Sequence, residues 1–237
     1  MGKGVFISLE GMDGCGKTTQ ARCLAEALEK REISALLLHE PGGTVLGERI
    51  RSVLLDRELL GNVDPLAELL LYEAARAQIV SEVIEPALAK GTVVICDRFF
   101  DSTLAYQGFG RGLDHDLIER LNSIASRGRT PDRTLLFELG EEEARERVLV
   151  RQNLTPDRME SEGDAFRRAV NKGFEALADA HPGRIVRIDA NGSPGEVHKR
   201  VLGALEDLLG WALGETATNS PQGYVTDSNE PMNRENS

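Results

Sequence analysis

Five short apolar runs, rich in β-branched residues, alternate along the chain with longer amphipathic stretches. The runs cover residues 5–10, 35–40, 92–97, 134–139 and 184–189. Such alternation predicts βαβ units and a parallel sheet. The spacing predicts a first helix over about residues 17–30, where Lys30 and Arg31 suit the negative end of the helix dipole. A longer helix begins at Asp64-Pro65, an N-cap followed by proline at the first helical position, and continues toward Ala89. Further helical patterns occupy residues 114–126, 141–152, 163–180 and 194–213. Residues 214–237 have almost no aliphatic side chains and cannot bury enough surface to offset their ordering entropy. The expected organisation is one α/β domain over 1–213 followed by a disordered tail over 214–237.

Three of the runs end in a carboxylate directly followed by a turn or a basic residue: Glu10, Glu40 and Asp97. The ligand crevice of a parallel sheet lies beyond the carboxyl ends of its strands. One acid there would only solvate a strand end, but three at equivalent places predict convergence on a site. Directly after the first run, Gly11, Met12, Asp13, Gly14, Cys15, Gly16, Lys17 and Thr18 fit G-x-x-x-x-G-K-[ST], with Thr19 following. The motif stands between an apolar strand and an amphipathic helix, as it must to bind a triphosphate. Its glycines let the backbone close around phosphate oxygens. Lys17 supplies positive charge to the β and γ phosphates, and Thr18 offers its hydroxyl to Mg²⁺. GTPase switches, motor ATPases and small-molecule kinases share this loop. The nearest string to a guanine-reading motif, Asn171-Lys172-Gly173-Phe174, lacks the required Asp.

Candidate acceptor chemistry lies further along. Arg98, after Asp97, would project into the crevice, where its planar fork suits a phosphate; the alternative is a pair with Asp97 or Asp101. Tyr72 and Arg76 are four residues apart and share a helix face, with small Ala75 beside them, an arrangement suited to stacking a base and bonding its edge. Residues 141–160 carry Arg145, Arg147, Arg151 and Arg158. Most such runs are solvated helix faces. Here residues 153–157 interrupt the helix, so the stretch over about 145–162 is expected to act as a lid that brings arginines over a reacting phosphoryl group.

Composition narrows the partners. Against 28 Lys and Arg stand 39 Asp and Glu, a formal charge of −11, which opposes attraction to a nucleic acid polymer or an anionic membrane. No apolar run approaches the ~18 residues of a membrane span. The three cysteines, Cys15, Cys23 and Cys96, form no C-x-x-C pair and fit a reducing cytoplasm.

These residues together resemble the thymidylate kinase family, bacterial type, within the P-loop nucleoside monophosphate kinases. The likeness runs through ISLEGMDGCGKTT, HEPGGT, RSVLLD, the Tyr72 to Arg76 helix, DRFFDSTLAYQG and DRME, in order over about residues 4–212. It implies a three-layer P-loop NTPase fold, a five-stranded parallel sheet flanked by helices, and a homodimer. The implied reaction is ATP plus dTMP giving ADP plus dTDP, with Mg²⁺ held by Thr18 and Asp97. By the same resemblance Asp13 takes the deoxyribose 3′-hydroxyl and Arg98 the acceptor phosphate. Tyr72 stacks on thymine and Arg76 bonds its edge, with Glu40, Pro41, Ser102, Thr103 and Gln107 nearby. Tyr106 crowds the sugar's 2′ position. Met12, Asp13 and Cys15 leave the loop without a basic side chain besides Lys17, which puts the extra charge in the lid and makes Arg151 and Arg158 its candidates. His39 stands where bacterial members carry Arg, and Tyr72 where most carry Phe.

Overall fold

The computed structural model describes residues 4–140, 143–144, 157–159 and 161–210. Each apolar run becomes a strand: β1 Phe6–Gly11, β2 Ala35–His39, β3 Val93–Asp97, β4 Arg133–Glu138 and β5 Ile185–Asp189. All pair in parallel in the order β2-β3-β1-β4-β5, with β1 at the centre. The connections hold the helices α1 Lys17–Glu29, α2 Val45–Leu55, α3 Pro65–Ile79, α4 Glu85–Ala89, α5 Phe100–Thr103 and α6 His115–Ala125, then α7 Asp164–Ala180, α8 Pro194–Gly203 and α9 Glu206–Leu209.

A sheet covered on both faces needs strands apolar at nearly every position. Ile7 and Leu9 of β1 pack against Leu24 and Leu28 of α1 and Val197 and Val201 of α8. Phe6 points the other way, into a cluster with Val94, Cys96, Phe99, Ile79 and Ile84. The result is helix, sheet, helix, in three layers.

The expected start at Asp64 holds: its Oδ1 accepts the N–H groups of Leu66 and Ala67 at 2.9 and 3.2 Å, and Pro65 follows. The expected single helix to Ala89 is interrupted by a π-helical turn over Val80–Ile84. Pro86 cannot donate to the carbonyl four residues back and its ring crowds it, so the chain widens there. The expected helix over 194–213 also breaks, between α8 and α9. Gly203 weakens it at that point, and Leu205 is drawn fully into the core. Most of the helix expected over 141–152, most of the lid and the tail over 214–237 fall outside the described residues.

Two helical segments were not expected, besides a single 3₁₀ turn over Arg57–Leu59. The helix α2 starts on Thr44, whose hydroxyl accepts the N–H of Gly47 at 2.9 Å. Three glycines at 42, 43 and 47 around that cap mask its periodicity. A π-helical turn over Leu104–Gly110 continues α5, and Gly108 and Gly110 mask it similarly. Both segments border the site. Among the described residues no helix is long and apolar enough to cross a membrane.

Candidate active site

The phosphate loop leaves the central strand where only glycine fits. Gly11 has φ +135°, and a Cβ there would lie 2.5 Å from the carbonyl oxygen of Phe137. Gly16, at φ 96°, turns the chain into α1, so the helix opens directly on the loop. Lys17 is folded over that loop: its Nζ donates to the carbonyls of Gly11 at 3.0 Å and Met12 at 2.8 Å. Cys15 is buried in the core, Gly14 shares the turn and Thr19 faces outward.

Thr18 Oγ1 donates to Asp97 Oδ2 at 2.5 Å, joining the start of α1 to the end of β3. A hydroxyl and a carboxylate side by side are the hard oxygen donors that suit Mg²⁺, which takes one or two protein ligands and fills its octahedron with phosphate and water. Among the described residues no cluster of three or more His, Cys, Asp or Glu side chains could hold a metal by itself.

Arg98 occupies a strained position, at φ 72°, in the left-handed region that a residue with a side chain rarely adopts. Its sequence neighbours Asp97 and Asp101 are not its partners. Asp97 is taken by Thr18, and Asp101 is paired with Arg184 at 2.6 Å. Instead Nη2 donates to Asp13 at 2.5 Å and to the Tyr106 hydroxyl at 3.2 Å, and Nη1 to Ser102 at 2.9 Å. Among the described residues its Nε and one Nη1 hydrogen carry no partner. Burial would raise the Asp13 carboxyl, but Arg98 and then Lys17 outweigh it and hold the carboxyl below its ordinary value.

All ten residues expected on the acceptor side, namely Asp13, Glu40, Pro41, Tyr72, Arg76, Arg98, Ser102, Thr103, Tyr106 and Gln107, line one cleft. It is a concave site open on one side, with polar groups converging on a partly apolar lining, the kind of place where small molecules bind. Arg76 is 2% exposed and holds four bonds: to Glu40, Glu73, Asn122 and Thr103, each at 2.9 Å. A guanidinium has five N–H groups. One Nη2 hydrogen therefore remains for a ligand. Burial, only partly offset by Arg76, pushes the Glu40 carboxyl up to about 7, and its Oε1 has no partner. Glu10, Glu40 and Asp97 do stand at the ends of adjacent strands, as their positions implied. His39 is turned outward to Glu48 at 2.9 Å.

Arg51, Leu55, Phe99, Asp157 and Met159 also line the cleft and were not singled out beforehand. Arg51 lies in the quoted RSVLLD string, and its Nη1 donates to the Pro41 carbonyl at 2.9 Å. Arg158 departs from its expected place over the phosphates. It is 2% exposed, with Nη1 on Glu68 at 2.6 Å and Nε on the Leu54 carbonyl at 2.6 Å. Glu68 is itself buried and needs a cation, which Arg158 and Arg111 supply. Arg145, Arg147 and Arg151 lie outside the described residues.

Residues 9–201 match the sequence model of the family described as Thymidylate kinase. The chain belongs to the thymidylate kinase family. Within the family it is 51% identical over 205 residues to a thymidylate kinase of Synechococcus sp. (strain JA-3-3Ab), covering 86% of this chain and 97% of that one. It is 47% identical to one of Gloeobacter violaceus, covering 86% and 96%. A crystal structure of a thymidylate kinase from Ehrlichia chaffeensis superposes with a TM-score of 0.70 at 33% identity, over 86% of this chain and all of the other. The loop, the Arg98 turn and the cleft of this family member all lie inside the matched region.

Proposed function

We propose that this chain is a dTMP kinase, which transfers the γ-phosphate of ATP to dTMP with the site residues in the following roles. The observation that carries the reading is the Asp13–Arg98 pair at 2.5 Å, which joins the triphosphate loop to the acceptor cleft. Residues 11–19 cradle the donor, and Lys17 neutralises its β and γ phosphates. Thr18 and Asp97 would hold Mg²⁺, which would supply charge neutralisation to the donor phosphates. Arg98 uses its remaining N–H groups on the acceptor phosphate. Tyr72 stacks on the base, the spare N–H of Arg76 meets its edge, and Thr103 and Gln107 close the pocket. Tyr106 stands against the sugar, and Asp13 can take a 3′-hydroxyl while still paired with Arg98.

The attacking atom is an anionic phosphate oxygen, so no strong general base is needed. Catalysis rests on alignment and on positive charge around the transferring group. With Arg158 committed to Glu68, Arg151 is the remaining candidate for the lid charge, and the catalytic unit is taken as residues 1–213.

The test is ADP release in a coupled assay with dTMP, dUMP, dCMP and thymidine as acceptors. Turnover is expected with dTMP well above the others. No release above the ATP-only blank would refute the reading.

Apolar side chains exposed on three packed helices support a homodimer: Val45, Leu46 and Val53 on α2, Leu66 and Leu70 on α3, and Ile124 on α6. Val45 is 76% exposed and Ile124 73%, an unfavourable display for a monomer. Leu70→Glu is expected to convert the dimer to a monomer in sedimentation experiments; a variant that sediments like the wild type would place the interface elsewhere. The acidic charge and the reducing chemistry implied by its unpaired cysteines favour a cytoplasmic enzyme.

A further inference from the structure

The side chain of Glu10 lies below the cleft, outside every role given so far. Side chains of β1 alternate between the two faces of the sheet, which puts Glu10 on the face of Phe6, beneath the turn that carries Arg98. A carboxyl at 0% exposure on a central strand is costly unless its oxygens are satisfied. Both are. Oε1 accepts the backbone N–H of Phe99 at 2.7 Å, and Oε2 meets the Ser102 hydroxyl at 2.5 Å. That hydroxyl in turn accepts Nη1 of Arg98 at 2.9 Å.

One carboxyl therefore grips the turn at two points, directly after the residue whose backbone is strained and at the residue that fixes that residue's guanidinium. A left-handed arginine persists only where its surroundings over-determine it. The N–H of Arg98 bonds the Leu9 carbonyl at 3.0 Å, so β1 supplies the next contact as well. Burial, then Asp101, pushes the Glu10 carboxyl up to about 8 against the pull of Arg98. The geometry serves either form: when protonated, Oε2 donates to Ser102 instead of accepting. Asp101 makes a useful contrast. It belongs to the same turn and is equally buried, but it bonds Arg184 and Thr134 and has no link to the Arg98 guanidinium.

We propose that Glu10 is the positioning residue of the acceptor site: by holding Phe99 and Ser102 it sets the Arg98 backbone and rotamer, so that the unused N–H groups of Arg98 face the acceptor phosphate. The inference rests on the reading of Arg98 as the ligand of that phosphate. Glu10 touches no substrate and acts only through the turn.

The experiment compares the dissociation constants of dTMP and thymidine by calorimetry, because their ratio isolates the phosphate contact. Wild-type enzyme is expected to favour dTMP. Glu10→Asp keeps the acid but withdraws it by one methylene, and Ser102→Ala cuts the same link while leaving the Glu10 carboxyl itself in place. Each is expected to lower the dTMP preference about tenfold, with thymidine affinity held within about twofold. Asp101→Asn is expected to keep the wild-type ratio even if it lowers the melting temperature. If Glu10→Asp does not fold, Ser102→Ala decides in the same way. Wild-type ratios in both variants, or equal losses for both ligands, overturn the role of Glu10. A wild-type enzyme that binds thymidine as tightly as dTMP overturns the Arg98 reading, and this inference with it.

Discussion

Arg98→Ala is expected to lower kcat with dTMP by about 10³-fold while ATP binding is retained. The guanidinium is held by Asp13, Ser102 and Tyr106, with its Tyr106 ring contact at 5.1 Å, so its orientation is set before any substrate arrives. A preorganised cation in a mostly buried position acts on a phosphate far more strongly than one in water. Removing it also leaves the Asp13 carboxylate facing the incoming phosphate without its neutralising partner, which turns an attraction into a repulsion. Arg98→Lys keeps the charge but loses the fork that contacts three residues at once, and is expected to recover less than about a tenth of wild-type activity. ATP affinity, measured separately by calorimetry, is expected to change little, because the proposed triphosphate site is the loop at 11–18 and not the 98–102 turn. An ATP affinity that falls in step with kcat would move Arg98 out of the acceptor role.

Lys17→Ala is expected to reduce turnover about 10²–10³-fold with every acceptor, with the KM for dTMP nearly unchanged. Lys17 holds two backbone carbonyls, those of Gly11 and Met12. They place the ammonium on the loop itself, and its third N–H meets only the Cys15 Sγ at 3.6 Å, a weak acceptor that a donor phosphate would displace. Lys17 is 6% exposed, so little water competes for that donor. On the proposed assignment the two variants divide the site: Lys17 would act on the donor, Arg98 on the acceptor. Steady-state kinetics with ATP and dTMP varied independently checks this division. A wild-type rate in Lys17→Ala would sink the assignment.

Much of this was legible along the chain because it is local. Strand runs, the Asp64-Pro65 helix start and the residue order of the phosphate loop depend on neighbours within a few positions, and all appear where the pattern put them. Even the ten acceptor-side residues converge on one cleft, although the widest gap among them, from Asp13 to Gln107, spans most of the first half of the chain. What was hidden has a physical cause in each case. Glycines at 42, 43, 47, 108 and 110 obscured the periodicity of α2 and of the turn after α5. Arg51 gives no signal on its own, since its contact is to a backbone carbonyl ten residues away.

Charge partners were the least legible. The pairs open to Arg98 along the sequence were Asp97 and Asp101, yet the fold gives Asp97 to Thr18, Asp101 to Arg184 and Arg98 to Asp13. Arg158 sits in a string that resembles a lid, but a buried Glu68 claims it. The sequence by itself determined the strand and helix pattern, the triphosphate loop and the set of residues around the acceptor, because periodicity and short motifs are properties of contiguous chain. Only the tertiary structure decided which carboxylate neutralises which arginine, and that Glu10 lies under the Arg98 turn. Those outcomes follow from the order β3-β1-β4 and the register between strands, which bring together groups some 85 to 90 residues apart.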